Sequence, residues 1–225
     1  MMFRSIKGLP FFCSWSGGKD SCLALYHALL EGGSPRYLLT MLRETGDRSR
    51  SHGNPVELLH SQARSLGVPI ITGSATWEGY EESFLSLLRE LRKDGVETGV
   101  FGDIDLEEHR RWIERVCSLA DIQPFLPLWK RERPSLLREF IDAGFEATIV
   151  TVKEGVLPEE FLGKTLDADT VREMEKTGID LSGEAGEYHT FVSDGPIFDT
   201  AVEIAVRRRV LVDGYWFLDV GSRPR

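Results

Sequence analysis

The first 120 residues alternate short apolar runs with amphipathic segments, and this alternation restricts the possible folds more than any other feature. The apolar runs lie at 10–15, 37–42, 68–72 and 99–102, and each precedes an apolar stripe with helical spacing. Strands that are apolar on both faces are typical of parallel sheets, whose two faces are covered by helices. We therefore predict an α/β fold with an open, mostly parallel, doubly wound sheet.

Glycine and proline residues mark the expected ends of these helices. Gly32, Gly67 and Gly95 each follow a helical segment, where glycine commonly ends a helix. Asn54 followed by Pro55 resembles a helix start, with Asn54 as the N-cap and Pro55 in the first turn. These signals predict helices of ordinary length between the strands.

The pattern changes in a proline-punctuated stretch at 124–134. Beyond it, short helices and strands are mixed, and Asp213-Gly214 between two strand-like runs predicts a tight type I′ hairpin. We therefore predict two domains, residues 1–130 and residues 131–225. The second is expected to be a smaller α+β domain.

Composition narrows the classes of function. The chain has 225 residues, 41% of them hydrophobic, and a net charge of −9, which weighs against a protein that wraps nucleic acid. No apolar stretch approaches the roughly 20 residues needed to cross a bilayer, and residues 1–10 lack a secretory pattern. Cys13, Cys22 and Cys117 are too far apart for a paired metal site. We expect a cytoplasmic protein with reduced core thiols and no membrane partner.

A glycine-rich segment, Ser16–Ser21, lies between the first predicted strand and the first predicted helix and is called the phosphate loop below. Glycines allow backbone N–H groups to close around an anion, and the helix N-terminus adds partial positive charge. Lys19 can add a full charge, and Asp20 could hold Mg²⁺ or orient Lys19. The alternative is an ordinary glycine turn beside a helix cap. The segment matches neither GxxxxGK[ST] nor GxGxxG, and its context favours phosphate binding.

The sequence Ser-Gly-Gly-Lys-Asp-Ser resembles the pyrophosphate loop of the PP-loop ATPases, the adenosine-nucleotide α-hydrolase superfamily. A second segment, Gly183–Val192, followed by Asp194–Phe198, resembles the second motif of the diphthine–ammonia ligase family. Shorter segments also match, in the family's order: Ser51-His52-Gly53, Gly102-Asp103-Ile104 and Pro127-Leu128-Trp129. The resemblance covers nearly the whole chain and implies a HUP-like fold for the predicted sheet domain.

One position departs from the diphthine-synthesising members, which generally carry Glu-Tyr-Glu-Thr. This chain has His189 within Glu187–Thr190, and this form resembles a bacterial branch linked to cobalamin salvage. A group with an unperturbed pKa near 6.5 replaces a fixed negative charge there, which changes how a pocket treats charged substrates. The resemblance therefore implies as acceptor diphthine on an elongation factor, a corrinoid carboxylate or another metabolite.

The resemblance also implies which residues form the site. ATP would be bound by residues after the strands of the sheet: Ser14, Ser16, Gly17, Gly18, Lys19, Asp20, Ser21, His52, Gly102 and Asp103. Catalytic roles fall to charged and titratable residues of both motifs: Lys19, Glu184, Glu187 and His189. Acceptor-binding roles fall to their neighbours: Gly186, Tyr188, Thr190 and Asp194. Asp20 is the candidate Mg²⁺ ligand.

Structural alternatives exist for several of these residues. Glu184 and Glu187 could be solvated loop carboxylates, His189 could be a hydrogen-bonded interior residue, and Asp103 could cap the following helix. The sequence alone does not distinguish these roles from functional ones.

The implied reaction is ATP-dependent amide formation. A carboxylate would attack the α-phosphate, releasing pyrophosphate, and ammonia would then displace AMP. The expected partners are ATP, Mg²⁺, ammonia and the carboxylate acceptor, and a homodimer is one expected assembly. A non-catalytic ATP-binding accessory protein is an alternative. A sulfur-transfer or tRNA-modifying enzyme would require a CxxC pair or a nucleophilic cysteine near the site, together with a basic RNA-binding face. Neither is evident, and Cys13 and Cys22, which flank the loop, are expected to be buried in a strand and a helix.

Overall fold

The computed structural model describes residues 5–50 and 52–222, so Ser51 of the predicted Ser51-His52-Gly53 segment lies outside the described residues. The elements, in chain order, are β1 (Pro10–Ser14), α1 (Lys19–Leu30), β2 (Ser34–Leu42), α2 (Val56–Ser65), β3 (Ile70–Ser74), α3 (Tyr80–Lys93), β4 (Thr98–Val100), α4 (Glu107–Leu119), β5 (Gln123–Phe125), α5 (Arg133–Asp142), β6 (Glu146–Lys153), a 3-10 turn (Glu159–Phe161), α6 (Ala168–Glu175), β7 (Tyr188–Asp194), β8 (Ile204–Val212) and β9 (Tyr215–Ser222). They divide between two compact units.

The first unit is built on a parallel five-stranded sheet and comprises the described residues 5–16, 20–50 and 67–131. The strand order is β3-β2-β1-β4-β5. Strands are therefore added on one side of β1 as far as β3 and on its other side from β4, which makes the space between β1 and β4 the switch point of the sheet. Ligands of open α/β sheets bind at the carboxyl ends of the strands at such a switch point. The predicted α/β fold with a parallel sheet is therefore confirmed.

β5 is a strand that the sequence did not predict. It contains Pro124, which pairs with Gly99 at the edge of the sheet. An edge strand tolerates proline because the missing N–H removes no essential ladder bond there. The proline that marked the end of the fold pattern in the sequence therefore lies within the last strand of the sheet.

The core of the first unit lies between its sheet and the helices α3 and α4. Phe12 from β1 packs edge to face against Phe101, with 5.7 Å between ring centroids. Phe84 from α3 and Ile113 and Val116 from α4 belong to the same buried cluster. Burial of these apolar side chains stabilises the sheet and holds the ends of its central strands in place.

The second unit comprises the described residues 17–19, 52–66 and 132–222. Its sheet is antiparallel, in the order β7-β6-β9-β8, and α2 packs against β9. The predicted smaller α+β part is confirmed. Asp213 and Gly214 have φ angles of 49° and 77°, as a type I′ turn requires at both central positions.

The two units do not follow a single division of the sequence, because α2 and residues 17–19 group with the C-terminal half of the chain. The assignment of residues 1–130 to ATP binding and of 131–225 to substrate binding stays a prediction. Among the described residues, no helix is both long and apolar enough to cross a membrane.

The helix ends agree with most of the glycine and proline signals. Gly32, Gly67 and Gly95 all have positive φ after their helices, which confirms them as stops. The predicted Asn54 cap is wrong, since Pro55 occupies the N-cap position of α2 and makes no side-chain capping bond. Pro55 has ψ of 137°, an extended conformation, so the helix begins one residue later than predicted.

The three cysteines are buried and form no disulfide, as predicted. Burial raises the pKa of the Cys13 and Cys22 thiols well above the usual range and that of Cys117 to about 12. Because the thiolate is the nucleophilic form, none of these side chains suits sulfur transfer.

Candidate active site

The first-unit residues of the phosphate loop are Ser16, Asp20 and Ser21. Ser16 lies two residues after β1, and Asp20 and Ser21 lie in the first turn of α1. The hydroxyl oxygens of Ser16 and Ser21 are 3.1 Å apart and share a hydrogen bond. A Cβ atom at Gly102, after β4, would lie 2.8 Å from the backbone carbon and oxygen of Asp20. Only glycine permits this approach of two backbones, so Gly102 shapes the loop by its missing side chain.

Backbone and side-chain hydrogen bonds join the middle of the phosphate loop to β7, the strand of the second motif. The Val192 N–H donates to the Gly17 carbonyl over 2.9 Å, and the Lys19 N–H donates to Thr190 Oγ1 over 3.1 Å. All four residues belong to the second unit. The two segments that resemble the family motifs are therefore in direct contact.

Gln62 on α2 strengthens this connection and was missed by the sequence analysis. Its Nε2 donates to the Gly17 carbonyl over 3.0 Å and to the Val192 carbonyl over 2.6 Å, and the side chain is fully buried. A signal was available, because Gln62 lies three residues after Leu59 on the apolar stripe of α2. A polar residue on a buried stripe needs hydrogen-bond partners, and these are the loop and the motif.

Lys19 lies in a buried position beside an aromatic ring. It is 8% exposed, and its Nζ lies 5.7 Å from the centroid of the Tyr188 ring. The Tyr188 hydroxyl donates to the Leu181 carbonyl over 2.6 Å, which holds the ring in place. A cation over an aromatic face is attracted by the ring quadrupole. Tyr188 and Thr190, two of the predicted acceptor residues, therefore both contact Lys19.

His52 and His189 stack on each other beside Gly18. Their ring centroids are 4.4 Å apart with an interplanar angle of 29°. A Cβ at Gly18 would lie 2.7 Å from His52 Cε1, so the loop passes the imidazole at close range. His52 Nδ1 is a buried atom without a hydrogen-bond partner among the described residues. His52 and His189 thus form a pair next to the loop backbone.

The surroundings of His52 favour its neutral form. Burial, together with the charge of Lys19, lowers the pKa of His52 to about 4, although a hydrogen bond to the Thr190 backbone acts in the opposite direction. A second full positive charge beside Lys19 is therefore absent near pH 7. The loop keeps a single cationic side chain at this point.

The pKa of His52 predicts an acid-sensitive contribution to stability. Because the folded pKa lies below the unfolded value of 6.5, the unfolded chain binds more protons between about pH 6.5 and pH 4. The free energy of unfolding should fall as pH decreases through this window, by up to about 3 kcal/mol, and should keep the whole contribution above pH 6.5. Urea unfolding at several pH values should show a shallower pH dependence in His52→Gln than in the unchanged protein.

His60 supplies the matched control for this measurement. It lies on α2 with an exposed side chain. His60→Gln should retain the pH dependence of the unchanged protein. Equal slopes for His52→Gln and the unchanged protein would show that His52 titrates normally in the fold.

The loop before β7 is organised by two carboxylates. Glu187 is 7% exposed, and its Oε2 accepts a hydrogen bond from the Ala185 N–H over 3.0 Å. Asp180 accepts from the N–H groups of Ser182 and Glu184, over 3.1 and 3.3 Å, and pairs with Arg133. One oxygen of Glu187 thus holds its own loop. Asp180 was not predicted, although an aspartate two residues before Ser182 is a familiar turn signal.

The remaining predicted residues have local partners or backbone roles. Asp103 Oδ1 lies 3.1 Å from His109 Nδ1. The helix that Asp103 would cap in its structural alternative begins at Glu107 with no side-chain cap. Asp194 accepts a hydrogen bond from the Gly195 N–H over 2.8 Å. Gly186 has φ of 77°, and Ser14 is the half-buried last residue of β1.

The structure groups the predicted site residues in two sets. Those in the first unit are Ser14, Ser16, Asp20, Ser21, Gly102 and Asp103. Those in the second unit are Gly17, Gly18, Lys19, His52, Glu184, Gly186, Glu187, Tyr188, His189, Thr190 and Asp194. Within the second set, the loop backbone, the histidine pair and the start of β7 lie together.

The described residues contain no group of three or more histidine, cysteine or carboxylate side chains that could hold a metal ion. Mg²⁺ binds proteins through one or two carboxylates together with phosphate oxygens and water. A single carboxylate at Asp20 fits this mode of Mg²⁺ binding, in which the ion arrives with a nucleotide.

A parallel sheet whose first strand ends in a glycine-rich loop before a helix defines a class of α/β enzymes that bind nucleotides by their phosphates. Sequence comparison narrows the class. Residues 11–124 match the family described as diphthamide synthase N-terminal domain, and residues 132–223 match diphthamide synthase C-terminal domain. The chain therefore belongs to the diphthine–ammonia ligase family and is an ATP-dependent, amide-forming ligase.

Vertebrate relatives support the same family. The chain is 31% identical over 222 residues to a diphthine–ammonia ligase of Rattus norvegicus, with 87% of this chain and 83% of the relative covered. It is 30% identical over 237 residues to that of Danio rerio, with 92% and 90% covered. The protein of the same name from Homo sapiens is 28% identical, with 88% and 80% covered.

Proposed function

We propose that this ligase adenylylates the carboxylate of diphthine on an elongation factor and forms its amide with ammonia, releasing AMP and pyrophosphate. The observation that carries the proposal is the contact between the phosphate loop and the second motif, above all the Lys19 N–H bond to Thr190 Oγ1. A loop suited to ATP and a motif suited to the acceptor are linked by a direct hydrogen bond. This arrangement suits a reaction that joins the two substrates.

The proposed reaction has two steps. A carboxylate oxygen attacks the α-phosphorus of ATP, the bond to the bridging oxygen breaks, and pyrophosphate leaves with the electron pair. Ammonia then attacks the acyl carbon, AMP leaves, and the nitrogen loses a proton. In the first step, Lys19 and the loop amides would stabilise the charge that develops on pyrophosphate, where preorganised donors contribute most.

The other residues take roles that follow from their positions. Ser14, Ser16, Ser21, Gly102 and Asp103 would complete nucleotide binding in the first unit, and Asp20 would contact Mg²⁺ held mainly by phosphates. Glu184, His189 and the second carboxylate oxygen of Glu187 would bind ammonia or accept its proton. Gly186, Tyr188, Thr190 and Asp194 would line the acceptor side. The cytoplasmic location and the homodimer stay predictions of the sequence.

A corrinoid carboxylate is the second candidate acceptor. The observation that favours it is the His52–His189 stack, since the side chain at position 189 is an imidazole packed against another imidazole. The stack provides no fixed negative charge at position 189 to attract a cationic acceptor. An acid without a neighbouring cationic group would suit this surface better than diphthine does.

The decisive experiment supplies purified protein with ATP, Mg²⁺, ammonium and one acceptor at a time. We expect AMP, pyrophosphate and amide in equal amounts with diphthine-bearing elongation factor, and no AMP with elongation factor that lacks diphthine. Turnover with corrinoid acids alone would establish the second candidate. ATP binding without AMP or ADP formation with any acceptor would contradict ligase chemistry and support an accessory protein.

A further inference from the structure

We propose that Gln62 is a positioning residue that couples the phosphate loop to β7, so that nucleotide binding and the ordering of the second motif favour each other. The inference rests on the proposed function, since it takes the loop to be the nucleotide site. It adds a residue from α2, outside both motifs, and a linkage between the two substrate sites.

Hydrogen bonds close a ring among three backbone groups and one side chain. The Gly17 carbonyl accepts from Val192 N–H and from Gln62 Nε2, while the same Nε2 donates to the Val192 carbonyl. A carbonyl oxygen has two lone pairs and a side-chain amide nitrogen has two hydrogens, so both groups are fully used. Because both partners of Nε2 are carbonyls, the orientation of the amide is determined.

This ring fixes the direction of a phosphate-loop donor. The peptide group that joins Gly17 to Gly18 is planar and trans, so its C=O and N–H point in opposite directions. Holding the Gly17 carbonyl toward Gln62 and Val192 therefore turns the Gly18 N–H away from them. Backbone N–H groups are the donors that such a loop offers to phosphate. Gln62 thus acts on the nucleotide through the backbone that it orients.

The same ring makes the effect reciprocal. A nucleotide that prefers the positioned loop stabilises the Gly17 carbonyl in place, and hence the Val192 N–H bonded to it. By linkage, anything that orders β7 at Val192 must tighten nucleotide binding by the same factor. Thr190 lies on the same strand as Val192, and its hydroxyl accepts a hydrogen bond from the Lys19 N–H. The acceptor side of β7 therefore takes part in this coupling.

Hydrogen exchange with a non-cleavable nucleotide tests the proposal. α,β-Methylene ATP with Mg²⁺ should bind the unchanged protein and slow exchange of the Val192 amide. Gln62→Met keeps the length of the side chain and removes its donors. This variant loses both hydrogen bonds of Nε2, of which the one to the Gly17 carbonyl orients the loop. We expect about tenfold weaker binding of the analogue, the scale of one ordinary hydrogen bond, and little slowing at Val192.

A second variant and a control keep the test independent of folding. Gln62→Leu also removes the donors, introduces no charge at this buried position, and should behave like Gln62→Met. His60→Met, at an exposed position of the same helix, should bind the analogue and slow exchange as the unchanged protein does. Exchange in β8 and β9 reports whether each variant is folded.

The outcomes separate the two proposals. If the analogue does not bind the unchanged protein, the proposed function is wrong and the coupling falls with it. If it binds, and folded Gln62→Met or Gln62→Leu matches the unchanged protein in affinity and in exchange at Val192, only the coupling is wrong.

Discussion

Pyrophosphate release should fall by about 10²–10³ in Lys19→Met, beyond what any change in the stability of the fold explains. Lys19 supplies the full positive charge of the phosphate loop, and removal of one preorganised donor to a developing charge costs this much in rate. Methionine fills a similar volume in this buried position, so the variant removes the charge and keeps most of the apolar packing. The Lys19 backbone bond to Thr190 does not depend on the side chain.

The measurement is pyrophosphate release at saturating ATP, together with urea unfolding of the same preparations. Lys176→Met is the matched control, since Lys176 is exposed in the same unit, and it should match the unchanged protein in both. Normal pyrophosphate release by Lys19→Met would remove the loop from the proposed chemistry. A large loss of stability would instead make Lys19 a structural residue.

Gly17→Ala should lower the free energy of unfolding by about 3–5 kcal/mol and abolish nucleotide binding. Gly17 has φ of 77°, which is strained for alanine. The added Cβ would also lie 2.6 Å from Gln62 Oε1 and 2.9 Å from Leu59 Cδ2. The Gln62 amide would have to move, which would leave buried polar groups without their partners. Urea unfolding and titration with α,β-methylene ATP would measure both effects.

Gly178→Ala separates backbone strain from crowding. Gly178 follows α6 with φ of 75°, nearly the same as at Gly17, but a Cβ there would meet nothing within 4 Å. This variant should lose only about 1 kcal/mol, the cost of the positive φ alone. If the two alanine variants were equally stable, the packing of Gln62 against the loop would contribute nothing.

Local patterns in the sequence were sufficient for much of the fold. Apolar runs on both faces indicated the strands of the parallel sheet, and Asp213-Gly214 indicated the type I′ turn between β8 and β9. Both signals depend on neighbouring residues and backbone preferences. The edge strand β5 was missed, since Pro124 is a strong local breaker that only an edge position accommodates. The phosphate loop was recognised because its residues are contiguous.

The site includes residues whose hydrogen-bond and packing partners no local pattern identifies. Gln62 was predicted to be nothing more than part of a helix, and its partners, Gly17 and Val192, are 45 and 130 residues away. His52 and His189 were each singled out by motif, but their stacking on each other was not foreseen. Such contacts depend on how distant segments pack together, which spacing along the chain does not encode.

The sequence by itself determined the class of fold and the family and predicted an anion-binding loop, because each depends on contiguous residues with strong conformational or chemical preferences. The tertiary structure alone decided that α2 and Gly17–Lys19 join the second unit, that Gln62 bonds the loop to β7 and that burial lowers the pKa of His52. The physical reason is that hydrogen bonding and desolvation act through space, between residues that only the folded chain brings together.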